Sequence, residues 1–108
     1  MTITQSRVKD LLPLVVQVIA DVPYYDVINT QGTVLIFCDA TGGDLNINLP
    51  TAVDNTTVIV VKRIDSDVYT LTINPDGSET IDGGSTAVLN VQNESITLVS
   101  DNTNWKII

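Results

Sequence analysis

From residue 33 onward the chain is punctuated. A short apolar or alternating run is followed by a cluster of turn-forming residues, at intervals of roughly ten residues. The alternation is cleanest in DLNINLP (44–50), where Leu45, Ile47 and Leu49 share one face and Asn46 and Asn48 the other. TVLIFCDA (33–40) is almost continuously apolar, which suits a central strand. TVIVVKRI (57–64) is β-branched, and VYTLTIN (68–74) sets Tyr69, Leu71 and Ile73 inward against Thr70 and Thr72. STAVLNV (85–91), SITLVS (95–100) and NWKII (104–108) complete the series. The connectors TGG, DSD, NPDG, DGG, QNE and DNTN are rich in residues that accept tight turns. The pattern predicts a mainly β fold over residues 23–108: a compact antiparallel β-sandwich or jelly-roll-like domain.

Residues 1–22 follow another grammar. Thr4 or Ser6 can cap a helix. Val8, Leu11, Val15, Val18 and Val22 then fall at alternating spacings of three and four, as in a heptad seam, with Leu12 and Ile19 widening the stripe. Pro23 ends the segment, and Pro13 removes one backbone hydrogen bond within it. A lone helix of this length is marginal in water, so its apolar face must pack on something. That partner is either the chain's own β domain, or copies of itself or a socket in another protein. The five seam residues are the candidate oligomer or docking interface.

The stretch NPDGSETIDGGSTAVLN (74–90) gathers acids, glycines and hydroxyls. Asp76, Ser78, Thr80 and Asp82 alternate as calcium ligands do, but no spaced glutamate closes the loop. Two tight turns, PDG and DGG, account for it better. Asp65, Asp67, Asp76, Glu79 and Asp82 are expected in turns facing water, not paired across a cleft as glycoside hydrolysis requires. The chain has no histidine, so Ser-His-Asp and Cys-His catalysis cannot be assembled within it. The single cysteine, Cys38, lies in an apolar run and is expected to be a buried structural thiol. The sequence therefore predicts no enzyme, no metal and no cofactor.

The formal charge of −8 disfavours nucleic acid and anionic membrane as partners. Arg7, Lys9, Asp10 and Asp21 cancel within residues 1–23, so the net charge sits on the β region. The apolar run LLPLVVQVIADV is too short to span a bilayer and lacks a convincing cleavage site, so the expectation is a soluble protein without an export signal.

Taken in order, IFCDATGG, LNINLP, VIVVKRID, YTLTINPDGSETIDG and SITLVSDNTNWKII carry a resemblance that spans residues 27–108. The region resembles a small β domain found repeatedly in tail fibres, receptor-binding proteins and other virion structural proteins of tailed bacteriophages. The resemblance implies a compact, commonly trimeric, non-enzymatic domain on a virion surface. It gives Leu49 and Pro50, then Ile81, Asp82 and Gly83, and finally Trp105 as fold-determining positions. One departure is Asn102, near which the family often has glycine; asparagine also tolerates the left-handed region. The function implied is a short tail fibre or receptor-binding component, anchored by residues 1–22, with the β domain projecting. The alternative is a capsid decoration (cement) protein that binds the shell as a trimer. A free glycan-binding module using Tyr24, Tyr25, Tyr69 or Trp105 is a third class. The expected partners are its own copies, tail, baseplate or capsid proteins, and a host surface glycan or protein. The expected location is the virion, after synthesis in the host cytoplasm.

Overall fold

A computed structural model describes residues 14–108. It is a mainly β domain of two mixed sheets that do not close into a barrel. The strands are β1 (Leu14–Ala20), β2 (Tyr24–Asp26), β3 (Thr33–Asp39), β4 (Leu45–Asn48), β5 (Val58–Arg63), β6 (Leu71–Asn74), β7 (Ala87–Leu89), β8 (Ser95–Ser100) and β9 (Trp105–Ile107). One sheet has the order β1-β3-β5-β8-β9, the other β2-β4-β6-β7.

The chain visits the sheets alternately. After β1 it crosses to β2, returns to β3, crosses to β4, returns to β5 and crosses to β6. Each pass stacks on the previous one in parallel, β1 on β3 on β5 and β2 on β4 on β6. The last three strands close the winding in antiparallel pairs: β7 on β6, β8 on β5 and β9 on β8.

The core lies between the sheets. Val34, Ile36 and Cys38 of β3 and Ile59 and Val61 of β5 meet Leu45 and Ile47 of β4 and Leu71 and Ile73 of β6. Trp105 is fully buried, and its indole Nε1–H donates to the Pro50 carbonyl at 3.1 Å. Leu49 and Ile81 are buried as well. At Asp82-Gly83 both φ values are positive (50° and 83°), and Ile81 and Gly84 exchange two backbone bonds of 2.8 Å. That is the hairpin turn with both central residues left-handed, for which Asp-Gly is a favoured pair.

Every run predicted as a strand from residue 33 on contains one, but the pairing differs from the antiparallel expectation: four of the seven ladders among the described residues are parallel. The reason is where the turns lead. The TGG turn (41–43) passes the chain from β3 across to the other sheet, not back beside β3. A turn residue signals a reversal without saying which sheet receives the next strand.

The predicted helix over 1–22 is also corrected where it can be compared. Residues 14–20 form β1, paired with β3 along its whole length. Val15, Val16, Val18 and Ile19 are β-branched, which favours a strand. Because apolar residues occupy both odd and even positions, spacing alone could not separate the two periods. In a strand the seam is split: Val15 turns toward the core and Val18 away from it, with Val22 in the bend that follows. Val8, Leu11 and the helical reading of residues 1–13 lie outside the described residues. Tyr69, expected inward, precedes β6 and is exposed.

Candidate functional site

The stretch 74–90 resolves into structural contacts. Glu79 reaches back to residues 51 and 52: its carboxylate accepts the Ala52 amide at 2.9 and 3.1 Å and the Thr51 hydroxyl at 2.9 Å. The Asp82 carboxylate accepts the Ile107 amide at 3.1 Å. These acids cap backbone donors between distant segments. Among the described residues there is no group of three or more His, Cys, Asp or Glu side chains that could hold a metal ion.

Asp65 departs from the expectation of a solvated turn. It is buried, and pairs with buried Arg63 through two bonds, Nε to Oδ1 at 3.2 Å and an Nη to Oδ2 at 3.0 Å. The carboxylate also accepts the Ala40 and Asp67 amides at 2.8 and 3.0 Å. Arg63 donates further to the carbonyls of Leu89 and Asp67, both at 2.9 Å. Burial alone raises the Asp65 pKa. The Arg63 hydrogen bonds, the two amides and the guanidinium charge outweigh it and hold the group at about 2. Arg63 belongs to the five-stranded sheet and Leu89 to the other, so the cluster fastens one sheet to the next.

Cys38 is fully buried, as its apolar context predicted. Burial, with the Asp65 charge nearby, pushes its thiol up to about 12, far from a reactive thiolate.

A groove of about 360 Å³ opens between the bend after β1 and the turn after β3. Asp21, Val22, Pro23, Asp39, Gly42, Gly43 and Asp44 line it. Two of its three carboxylates have backbone partners: Asp39 accepts the Thr41 amide and Asp44 the Thr70 amide.

The two outer faces of the domain differ in kind. On the four-stranded sheet, Asp26, Asn46, Asn48 and Asn74 form a ladder. The Asn48 amide donates to Asp26 at 2.9 Å, and the Asn74 amide donates to both Asn46 and Asn48 at 3.1 Å. Tyr24, Thr72 and Val88 lie beside it.

On the five-stranded sheet, strand alternation turns Leu14, Val16 and Val18 of β1 outward, with Leu35 and Phe37 of β3 and Val58 and Val60 of β5. Register places them in rows. Leu14 lies beside Thr33 and Val58, Val16 beside Leu35 and Val60, and Val18 beside Phe37 and Lys62. Thr97 of β8 extends the second row. Leu14, Val16 and Val18 are 65, 54 and 65% exposed, the largest values in the rows because β1 is an edge strand.

Of the three seam residues among the described residues, Val18 lies on this face, Val15 packs against the core and Val22 lines the groove. The residues missed by the sequence reading are Val16, Leu35, Phe37, Val58 and Val60. Their signal was the lack of alternation in LVVQVIA, TVLIFCD and VIVV, which marks strands apolar on both faces.

No helix among the described residues is long and apolar enough to cross a membrane. No protein-family model matches the chain, and a search of curated proteins finds no match either.

Proposed function

We propose that the chain is a non-enzymatic structural component of a tailed-bacteriophage virion, of the short tail fibre or receptor-binding type, working as a homotrimer. The family resemblance in residues 27–108 supplies the virion context. The observation that supports an assembly role most directly is the asymmetry of the exterior. One sheet shows water a hydrogen-bonded asparagine ladder; the other shows contiguous Val, Leu and Phe. Contiguous apolar surface of this kind marks interaction sites on soluble proteins. The carboxylates of Asp65, Glu79 and Asp82 are bound to backbone amides within the domain, which suits a rigid building block.

The test is copy number in purified particles of the phage that encodes it, by quantitative mass spectrometry against the major capsid protein. A few to a few tens of copies per particle is the expected result and places the chain on the tail. Hundreds would move it to the capsid as a decoration protein. Absence from particles would end the virion reading.

A further inference from the structure

We infer that the outer face of the five-stranded sheet is buried against a second copy of this chain, in a head-to-tail contact centred on Val16, Val18, Leu35, Phe37 and Val60. The inference rests on the assembly reading above and adds to it the surface, the occupant and the mode.

Three observations carry it. The first is extent. β1 and β3 are each seven residues long and three neighbouring strands continue the sheet. At about 3.3 Å per residue and about 4.8 Å between strands, the face covers on the order of 400–500 Å². A stable contact needs roughly 800 Å² per partner. The face supplies about half of that and its rim must supply the rest, whereas a short peptide would leave much of the apolar surface wet.

The second is the edge. β1, LVVQVIA, contains no charge, proline or glycine, and its outward side chains are the most exposed of the face. Edge strands that remain single are commonly blunted by such residues or by bulges. β1 pairs with β3 without a break in register, so no bulge twists it away.

The third is charge, and it selects the occupant. Among the described residues the side-chain cations are Lys62, Arg63 and Lys106. Arg63 is spent on the buried cluster. Lys62 and Lys106 both turn outward on this sheet, Lys62 beside Phe37 and Lys106 beside Val99, where Lys106 pairs with Asp101 at 3.9 Å. Asp39, two residues beyond Phe37, shares the outward side of β3, and elsewhere the domain is acidic: Asp21 and Asp44 line the groove, and Asp76, Asp82 and Glu94 occupy turns. A face with an apolar middle and Lys62 at its margin complements the acidic remainder of the same molecule. The homotrimer proposed above requires a heterologous contact, which closes as a ring when the rotation between neighbours closes and can set Lys62 toward a neighbour's carboxylates.

The experiment uses the full chain. Native mass spectrometry and light scattering give the mass of the wild type, of Val16→Asp and Val18→Asp, and of Thr72→Asp on the opposite sheet. The first two sites are already exposed in one protomer, so a folded monomer tolerates them; circular dichroism and Trp105 fluorescence confirm folding. The expected result is an assembled wild type, an unaffected Thr72→Asp, and a dissociation constant raised about 100-fold or more by either valine variant. Lys62→Glu should weaken assembly as well, and more at low salt than at high salt.

A wild type that is monomeric at tens of micromolar overturns the inference. So does an assembly that ignores Val16→Asp and Val18→Asp. A monomer whose face is protected from hydrogen exchange only while residues 1–13 are present overturns it in favour of the chain's own N-terminus. Failure here is separable from failure of the virion reading, which copy number decides: a particle-bound monomer keeps that reading and loses this one, and an assembled chain absent from particles does the reverse.

Discussion

Replacing Arg63 with methionine tests whether the buried charged cluster holds the two sheets together. Methionine keeps much of the volume and removes every donor. The substitution leaves the Leu89 and Asp67 carbonyls without the guanidinium and leaves Asp65 with only the Ala40 and Asp67 amides. Removing one partner of a buried ion pair costs about 3–5 kcal/mol, because the remaining charge stays desolvated. Against a typical domain stability of roughly 5–15 kcal/mol, this is a large fraction. The assay is urea unfolding followed by the single, fully buried Trp105, at fixed protein concentration so that assembly does not enter the comparison. The pH dependence sharpens the test. In the wild type the folded pKa of Asp65, about 2, lies below its ordinary 3.8. Its contribution is therefore complete above about pH 4 and is lost as the pH falls toward 2. In Arg63→Met burial acts without the guanidinium, so the Asp65 pKa rises and the folded variant takes up a proton sooner. The stability gap between the two proteins should then narrow as the pH is lowered from 7 to 3. A gap under about 1 kcal/mol at pH 7, or one that stays constant with pH, would refute the reasoning.

Other perturbations follow from single contacts. Glu79→Ala frees the Ala52 amide and the Thr51 hydroxyl, and should cost about 1–3 kcal/mol in the same unfolding assay. Asn102 has φ of 77°, which glycine would adopt more easily, but its side chain accepts the Asp54 amide at 2.7 Å. Asn102→Gly should therefore destabilise by about 0.5–1.5 kcal/mol instead of stabilising, as a denaturation midpoint would show. Cys38, fully buried with its thiol pushed up to about 12, should react with an aromatic disulfide reagent only at the rate of unfolding, so that labelling accelerates with urea. Rapid labelling of the native chain at neutral pH would contradict the placement of this residue.

Much of the β region was legible because inward positions obey a two-residue period. Leu45, Ile47, Leu71 and Ile73 are all fully or nearly fully buried, as alternation required. The direction of pairing was not legible from turns, yet one sequence signal for it exists. LNIN (45–48) and LTIN (71–74) are near copies, and the structure stacks them in parallel, residue on residue. Repeated strands in consecutive windings of a coil occupy equivalent places, so a repeat points to parallel stacking where a hairpin would not. β1 was misread for a different reason. Seven apolar-rich residues contain enough valines to satisfy a helical seam and a strand together, and the deciding interaction, its ladder with β3, is remote in sequence. Asp65 was placed in water because it sits between turn residues; its partner Arg63 is only two positions away, and a charged pair at that spacing on a strand end is the available hint.

Parallel stacking also explains why the exterior is so sharply divided. In such a winding each outward position recurs one strand over, so a residue type once chosen tends to spread into a row. Asp26, Asn48 and Asn74 form one row, bonded amide to carbonyl or carboxylate; Val16, Leu35 and Val60 form another. The same rule governs the interior, where Ile19, Cys38 and Arg63 are successive members of one inward row. Arginine there breaks an apolar series and needs acceptors that no apolar neighbour provides. They come from Asp65 and Asp67 just beyond β5 and from Leu89 in the opposite sheet. The break falls where β5 ends and the chain crosses to β6. After β6 strands are added in antiparallel pairs, and the winding stops. A hydrophobic residue at 63 could continue the row. The arginine instead binds the crossing itself, holding the 65–67 turn, the end of β7 and the start of the TGG turn through Asp65 to Ala40. The cluster thus fixes the relative position of the two sheets behind the apolar outer face.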